Sequence, residues 1–230
     1  MLKVATAFLP APGFWEGTPP TRGFEAALAA DLAHRLGLDR VQVVQVPFAE
    51  IVSGHLGGAD IALSQTTPTK EREKKVDFTT PYLVSPPGVL ARLGVDASDV
   101  NGLQKLQWVI SSASTLTPIV EQQVRPDHKP IVTVDRAQAL DVLRAGRADA
   151  LLLDLPVALG LAREEPAIFH VIGQLSGQEG LAAILPNHSH NREIVDSAIR
   201  HFQADGTIGK LTDRWLGKSV QDVPLIRTEE

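Results

Sequence analysis

The stretch Gly58-Ala59-Asp60-Ile61-Ala62-Leu63-Ser64-Gln65-Thr66-Thr67-Pro68-Thr69-Lys70-Glu71-Arg72-Glu73-Lys74-Lys75-Val76-Asp77-Phe78-Thr79-Thr80-Pro81-Tyr82 decides how the rest of the chain is read. Asp60 to Leu63 is a short apolar run after a glycine pair, which reads as a buried strand. Thr66, Thr67 and Thr69 flank Pro68 and read as a hydroxyl-rich turn. Lys70 to Lys75 is a charge run, and such runs are usually solvated helix faces. Taken alone, Arg72 belongs to that face and Thr67 is an ordinary turn hydroxyl.

Working outward, the same layering recurs. Leu2 to Phe8 reads as a strand, and a Pro/Gly-rich loop follows from Leu9 to Pro20. Leu28, Leu32 and Leu36 fall at a spacing of four on one helix face, with Gly37 as the stop. Val41–Val46 is a second strand and Ala49–Leu56 a short helix. Strand, helix, strand, helix, strand implies an α/β layer with a mostly parallel sheet. Further on, Trp108–Ile110, Ile131–Val134 and Asp149–Leu153 read as strands. They alternate with helices over Pro118–Gln123 and Arg136–Ala145, and Asn191 to Trp215 reads as a helical tail. The chain therefore holds two α/β units, one before about residue 85 and one after about residue 105.

Composition narrows the function. Over 230 residues, 43% are hydrophobic and 21% charged, the range of an ordinary soluble globular chain. The net charge of -5 lacks the Lys/Arg excess of a nucleic-acid surface, so no nucleic-acid partner is expected. With no cysteine there is no disulfide, thiolate metal site or cysteine nucleophile. No apolar run is long enough to cross a bilayer. The phosphate-cradling and zinc-protease motifs are missing, and His188-Ser189-His190 reads as a solvated loop, so neither cofactor nor metal is expected.

The opening stretch resembles the signature of the polar amino-acid-binding proteins of ABC importers, the extracellular solute-binding proteins of family 3. These carry a strand opened by Asp, a turn ending in Thr, an Arg, and then V-D-F-[ST]-x-P-Y. Four further blocks agree in order: Gly23-Phe24-Glu25, Pro47-Phe48-Ala49-Glu50-Ile51, Gly146-Arg147-Ala148-Asp149-Ala150 with Asp154, and Ala204-Asp205-Gly206-Thr207 through Trp215-Leu216-Gly217. The resemblance implies a type II periplasmic-binding fold, with two α/β lobes joined by two hinge strands. Lobe 1 would be residues 1–86 plus 185–230, lobe 2 residues 87–184, and the ligand cleft would lie between them. The crossings are expected near Val84–Leu90 and Ala182–Pro186.

It also implies a site. A free amino acid is a zwitterion, and burying it needs a cation for the carboxylate and an anion for the ammonium. Arg72 matches the family's carboxylate-binding arginine, whose planar fork suits a carboxylate. Thr67 matches its hydroxyl contact. Gln65 stands where the family has Gly or Ser, and its side chain can fill part of the pocket. In lobe 2, Ser112-Ala113-Ser114-Thr115 matches a turn that opens a helix, so the Ser114 backbone N–H would meet the carboxylate from the other side. Asp154 matches the ammonium-binding aspartate; as Asp-x-Pro it is equally a helix N-cap, and the two roles are compatible. Phe48 matches the aromatic that packs on the ligand, with Phe14 and Trp15 as further lining from the first loop.

The positions able to see the ligand side chain are Phe48, Gln65, Ser111 and Leu153, with Phe14 or Trp15 nearby, and none is charged. That favours a neutral side chain, with Glu16 as the residue that would serve a basic one. The implied protein is a monomeric, extracytoplasmic binding protein that serves a membrane permease, its leader or anchor not being part of these 230 residues. Two alternatives remain. One is a cyclohexadienyl dehydratase-like enzyme on the same fold with Glu179 as general acid. The other is the ligand-binding domain of a sensor.

Overall fold

A computed structural model describes residues 1–217 and 222–228. The remaining residues of the expected tail, 218–221 and 229–230, lie outside the described residues. The chain forms two compact units. Among described residues, the first comprises 1–9, 13–84 and 180–217, and the second 10–12, 85–179 and 222–228.

The first unit is built on a sheet of six strands. They are β1 (Leu2–Ala7), β2 (Val41–Val46), β3 (Ile61–Thr66), β4 (Val76–Phe78), β5 (Leu83–Ser85) and β11 (Glu179–Pro186). The order is β2-β1-β3-β11-β4, with β5 on β11. β2 and β3 both run parallel to β1, and β11 runs antiparallel to β3 and β4. All six residues of β3 are buried, because the strand lies inside the sheet. That is why it reads as a continuous apolar run instead of alternating.

Helix α1 (Phe24–Arg35) buries Phe24, Leu28 and Leu32 and packs against α7 (Arg192–Ala204) and α8 (Thr207–Trp215). Its start depends on Gly23, whose φ is +114; a Cβ there would lie 2.3 Å from the Phe14 carbonyl oxygen. Helix α2 (Phe48–Ile51) is shorter than the predicted Ala49–Leu56. The left-handed Gly54 (φ +95) breaks the chain after one turn, and the Ser53 hydroxyl donates to the Glu50 carbonyl. The charge run from Lys70 to Lys75 is a series of turns, not a helix face.

The second unit has its own six-stranded sheet: β6 (Pro87–Arg92), β7 (Trp108–Ser111), β8 (Ile131–Thr133), β9 (Ala150–Asp154), β10 (Phe169–Leu175) and β12 (Leu225–Ile226). The order is β12-β10-β6-β9-β7-β8. β7 runs parallel to β8 and β9, whereas β6 runs antiparallel to β9 and β10. The helices are α3 (Val100–Lys105), α4 (Thr117–Ile119), which continues as a π-helical turn over Val120–Val124, α5 (Arg136–Arg144) and α6 (Leu155–Glu164). Trp108 is fully buried in this core, and its indole N–H donates to the Leu103 carbonyl at 2.8 Å.

Three boundaries differ from expectation, one being the return crossing, which precedes the expected Ala182–Pro186. The end of the chain was expected with the first lobe, but β12 pairs with β10 of the second unit. Residues 10–12 also group with the second unit, where a Cβ on Gly160 would lie 2.6 Å from the Pro12 carbonyl oxygen. The chain changes unit between Val84 and Ser85 and again between Glu179 and Gly180. Within each sheet the parallel strands end on one edge, and open α/β sheets present their ligand-binding loops at that carboxyl edge.

Candidate functional site

In the first unit the carboxyl edge carries the segments after β1, β2 and β3. Arg72 comes from the turns that follow β3 and is half-buried, whereas Lys70, Glu71, Glu73, Lys74 and Lys75 around it are exposed. Its Nη1 donates to the Thr67 carbonyl at 2.7 Å, and its backbone N–H donates to the Thr69 hydroxyl at 3.2 Å. The guanidinium carbon lies 5.4 Å from the Phe48 ring centroid, a cation–π contact. Arg72, Thr67 and Phe48, named from sequence, therefore form one cluster. A long cation has been given a fixed position, which lowers the entropic cost of binding an anion.

Gln65 is turned the other way. It is buried and left-handed, with φ +44. Its backbone N–H donates to Glu25 Oε1 at 2.9 Å, and its side-chain amide donates to Glu25 Oε2. The side chain expected to fill the pocket is instead bound to a carboxylate beneath it. Tyr82 also donates its hydroxyl to Glu25. Burial pushes the Glu25 carboxyl above its usual range, while hydrogen bonds from Tyr82 and Gln65 pull in the opposite direction.

The first loop turns its aromatics inward. Phe14 has no exposed surface and packs edge-on against Phe24 at 5.8 Å, so it is core and offers nothing to a ligand here. Trp15 is 9% exposed, and its indole N–H donates to the Leu63 carbonyl at 3.0 Å, which ties the loop to β3. Glu16 accepts from the Gly13 N–H at 3.0 Å, within its own loop. A further aromatic on this edge, beside Phe48, is Phe8, which sequence reasoning missed. It is 59% exposed and follows Ala7, which pairs with Val46, so Phe8 stands beside the Pro47–Phe48 segment. A large aromatic closing a buried strand just before a Pro/Gly loop was the available signal.

In the second unit the carboxyl ends of β7 and β9 are neighbours, Trp108 pairing with Ala150 and Val109 with Leu151. That puts the Ser111–Thr115 turn and Asp154 on one edge. Ser114 does not present its backbone N–H as expected: it donates to the Ser111 carbonyl at 3.0 Å, and the helix starts only at Thr117. The Ser114 hydroxyl accepts from the Leu116 N–H at 3.1 Å. The Thr115 hydroxyl donates to Glu179 Oε2 at 2.7 Å, so Glu179 joins this edge.

Asp154 occupies the N-cap position of α6, yet its side chain makes no capping hydrogen bond. Asp99 and Asp135 do cap α3 and α5, accepting from Gly102 and Gln138. Capping therefore does not account for the aspartate at position 154. Among the described residues no group of three or more His, Cys, Asp or Glu side chains is placed to hold a metal ion. His188 and His190 are exposed.

Residues 4–218 match the family of bacterial extracellular solute-binding proteins, family 3. The chain belongs to this family. It is 28% identical over 201 residues to the L-cystine-binding protein of Escherichia coli K12, covering 86% of this chain and 75% of that protein. An ancestral arginine-binding protein bound to glutamine has the same fold, with a TM-score of 0.79 and 26% identity over 94% of this chain and 98% of the other. A similar structure is an ancestral amino-acid-binding protein that is a precursor of cyclohexadienyl dehydratase, with a TM-score of 0.75 and 25% identity over 94% and 95% of the two chains. The fold of this family-3 protein is thus the type II periplasmic-binding fold expected from sequence.

Proposed function

We propose that this family-3 protein captures a free L-amino acid outside the cytoplasm and passes it to an ABC importer in the membrane. Arg72 takes the carboxylate and Asp154 takes the ammonium, the two charges a buried zwitterion needs. The observation that carries this reading is Arg72, a cation half-buried among exposed charges and fixed by the Thr67 carbonyl and the Phe48 ring. The names of its relatives, binding proteins for cystine and arginine, support the ligand class.

The protein works as a monomeric binding protein and not as an enzyme. Glu179, the carboxylate a dehydratase would use, accepts a hydrogen bond from Thr115, which suits a fixed wall. The ligand side chain is neutral. Glu16, the first-loop group able to serve a basic ligand, is occupied by the Gly13 N–H, and Phe8 and Phe48 offer apolar faces. Competition binding tests this directly. Neutral amino acids are expected to displace a bound probe at least tenfold better than arginine or lysine. The reverse order, with Glu16→Gln abolishing it, would make Glu16 the selectivity residue.

A further inference from the structure

The proposed carboxylate site stands on a conformation that glycine would adopt freely but that is held here by glutamine. Gln65 has φ +44, in the left-handed region, where a side chain costs about 1 kcal/mol. It sits within the strand that leads into Thr66, Thr67 and the Arg72 turn, so its backbone direction sets where that turn emerges. Glu25 reaches it from α1, 40 residues earlier in the chain, and has no exposed surface. Glu25 faces the Gln65 backbone N–H, the Gln65 amide, the Tyr82 hydroxyl and the Trp15 indole N–H. Two of these belong to Gln65 and grip it at both backbone and side chain. Thr67 in turn accepts from Arg72 Nη1 at 2.7 Å. The chain of contacts therefore runs from Glu25 through Gln65 to the Thr67 carbonyl and the guanidinium.

We propose that Glu25 is a positioning residue for ligand capture: it holds Gln65 left-handed and thereby aims the Thr67–Arg72 turn. This rests on the reading of Arg72 as the carboxylate-binding group. Glu25 touches no ligand itself, being wholly buried.

The test is a rescue. Glu25→Ala removes the grip, and Gln65→Gly supplies a residue that takes the left-handed conformation unaided. L-Glutamine, L-arginine and L-cystine are titrated by calorimetry into the unmodified chain, and whichever binds is then used with the variants. Glu25→Ala is expected to weaken binding at least tenfold, and Glu25→Ala/Gln65→Gly to recover most of that loss. A folded Glu25→Ala with unchanged affinity, or a double variant no tighter than the single one, overturns the proposal. If Glu25→Ala does not fold, Glu25→Gln with and without Gln65→Gly is read in the same way. A second readout needs no ligand. Amide hydrogen exchange across residues 67–72 is expected to speed up at least tenfold in the single variant and slow again in the double, and unaltered exchange overturns the proposal. Should these three and the other free L-amino acids all fail to bind the unmodified chain, the reading of Arg72 fails while the exchange experiment still decides the role of Glu25.

Discussion

Arg72→Ala is expected to weaken amino-acid binding by about 3 kcal/mol or more, roughly two orders of magnitude in Kd, as removal of one partner of a desolvated charge pair does. The ligand carboxylate would lose its cation, and Lys70, Lys74 and Lys75 are exposed and give no replacement at the same spot. Arg72→Lys should also bind poorly, by about tenfold or worse. An ammonium cannot donate to the Thr67 carbonyl and present a two-pronged face to a carboxylate at once. The ligand-free melting temperature should hardly change, because the side chain is half-buried at the sheet edge and not in the core. Calorimetry with near-normal affinity for either variant removes Arg72 from the site.

Asp154→Asn is expected to cost about 2 kcal/mol or more of binding, since it keeps the shape but removes the charge facing the ammonium. Two roles compete at this position, and the structure supplies an internal control. Asp135 gives its carboxylate to the Gln138 N–H and caps α5, whereas Asp154 makes no capping bond to α6. Asp135→Ala should therefore cost about 1 kcal/mol of folding stability and leave affinity unchanged. Asp154→Ala should do the opposite, lowering affinity sharply with a smaller loss of stability than the cap variant. Equal stability losses with intact binding for both would make Asp154 a cap and nothing more.

The buried central strands β3, β7 and β9 were legible because they read as apolar runs, and the edge strands β2 and β8 and helix α5 fall within one residue of their predicted bounds. The antiparallel strands β4 and β10, and the short β12 that runs parallel to β10, were not. They are short or are defined by pairing partners far along the chain, and β12 gains its place only by joining β10. Of the candidate residues, Arg72 is in contact with both Thr67 and Phe48, because one motif and one helix start bring them to one edge. Gln65 was legible by position but not by role. Its direction depends on Glu25, and a buried carboxylate leaves no local pattern in sequence. The inward packing of Phe14 and Trp15 was not legible because periodicity has no hold on a Pro/Gly loop. Whether an aromatic there turns inward depends on the close approach that Gly23 permits.

The most direct measurement is a thermal-shift screen of the unmodified chain against the free L-amino acids, with sugars, divalent metals and dicarboxylic acids lacking an amine as comparison sets. A ligand that binds only the folded form at a hundred times its Kd stabilises it by about 2.7 kcal/mol, a shift of several degrees. The expected result is a shift with one or a few neutral L-amino acids, the bound molecule recovered unchanged by mass spectrometry. A shift confined to the comparison sets, or a bound amino acid recovered as a different compound, would contradict capture of a free amino acid by Arg72 and Asp154.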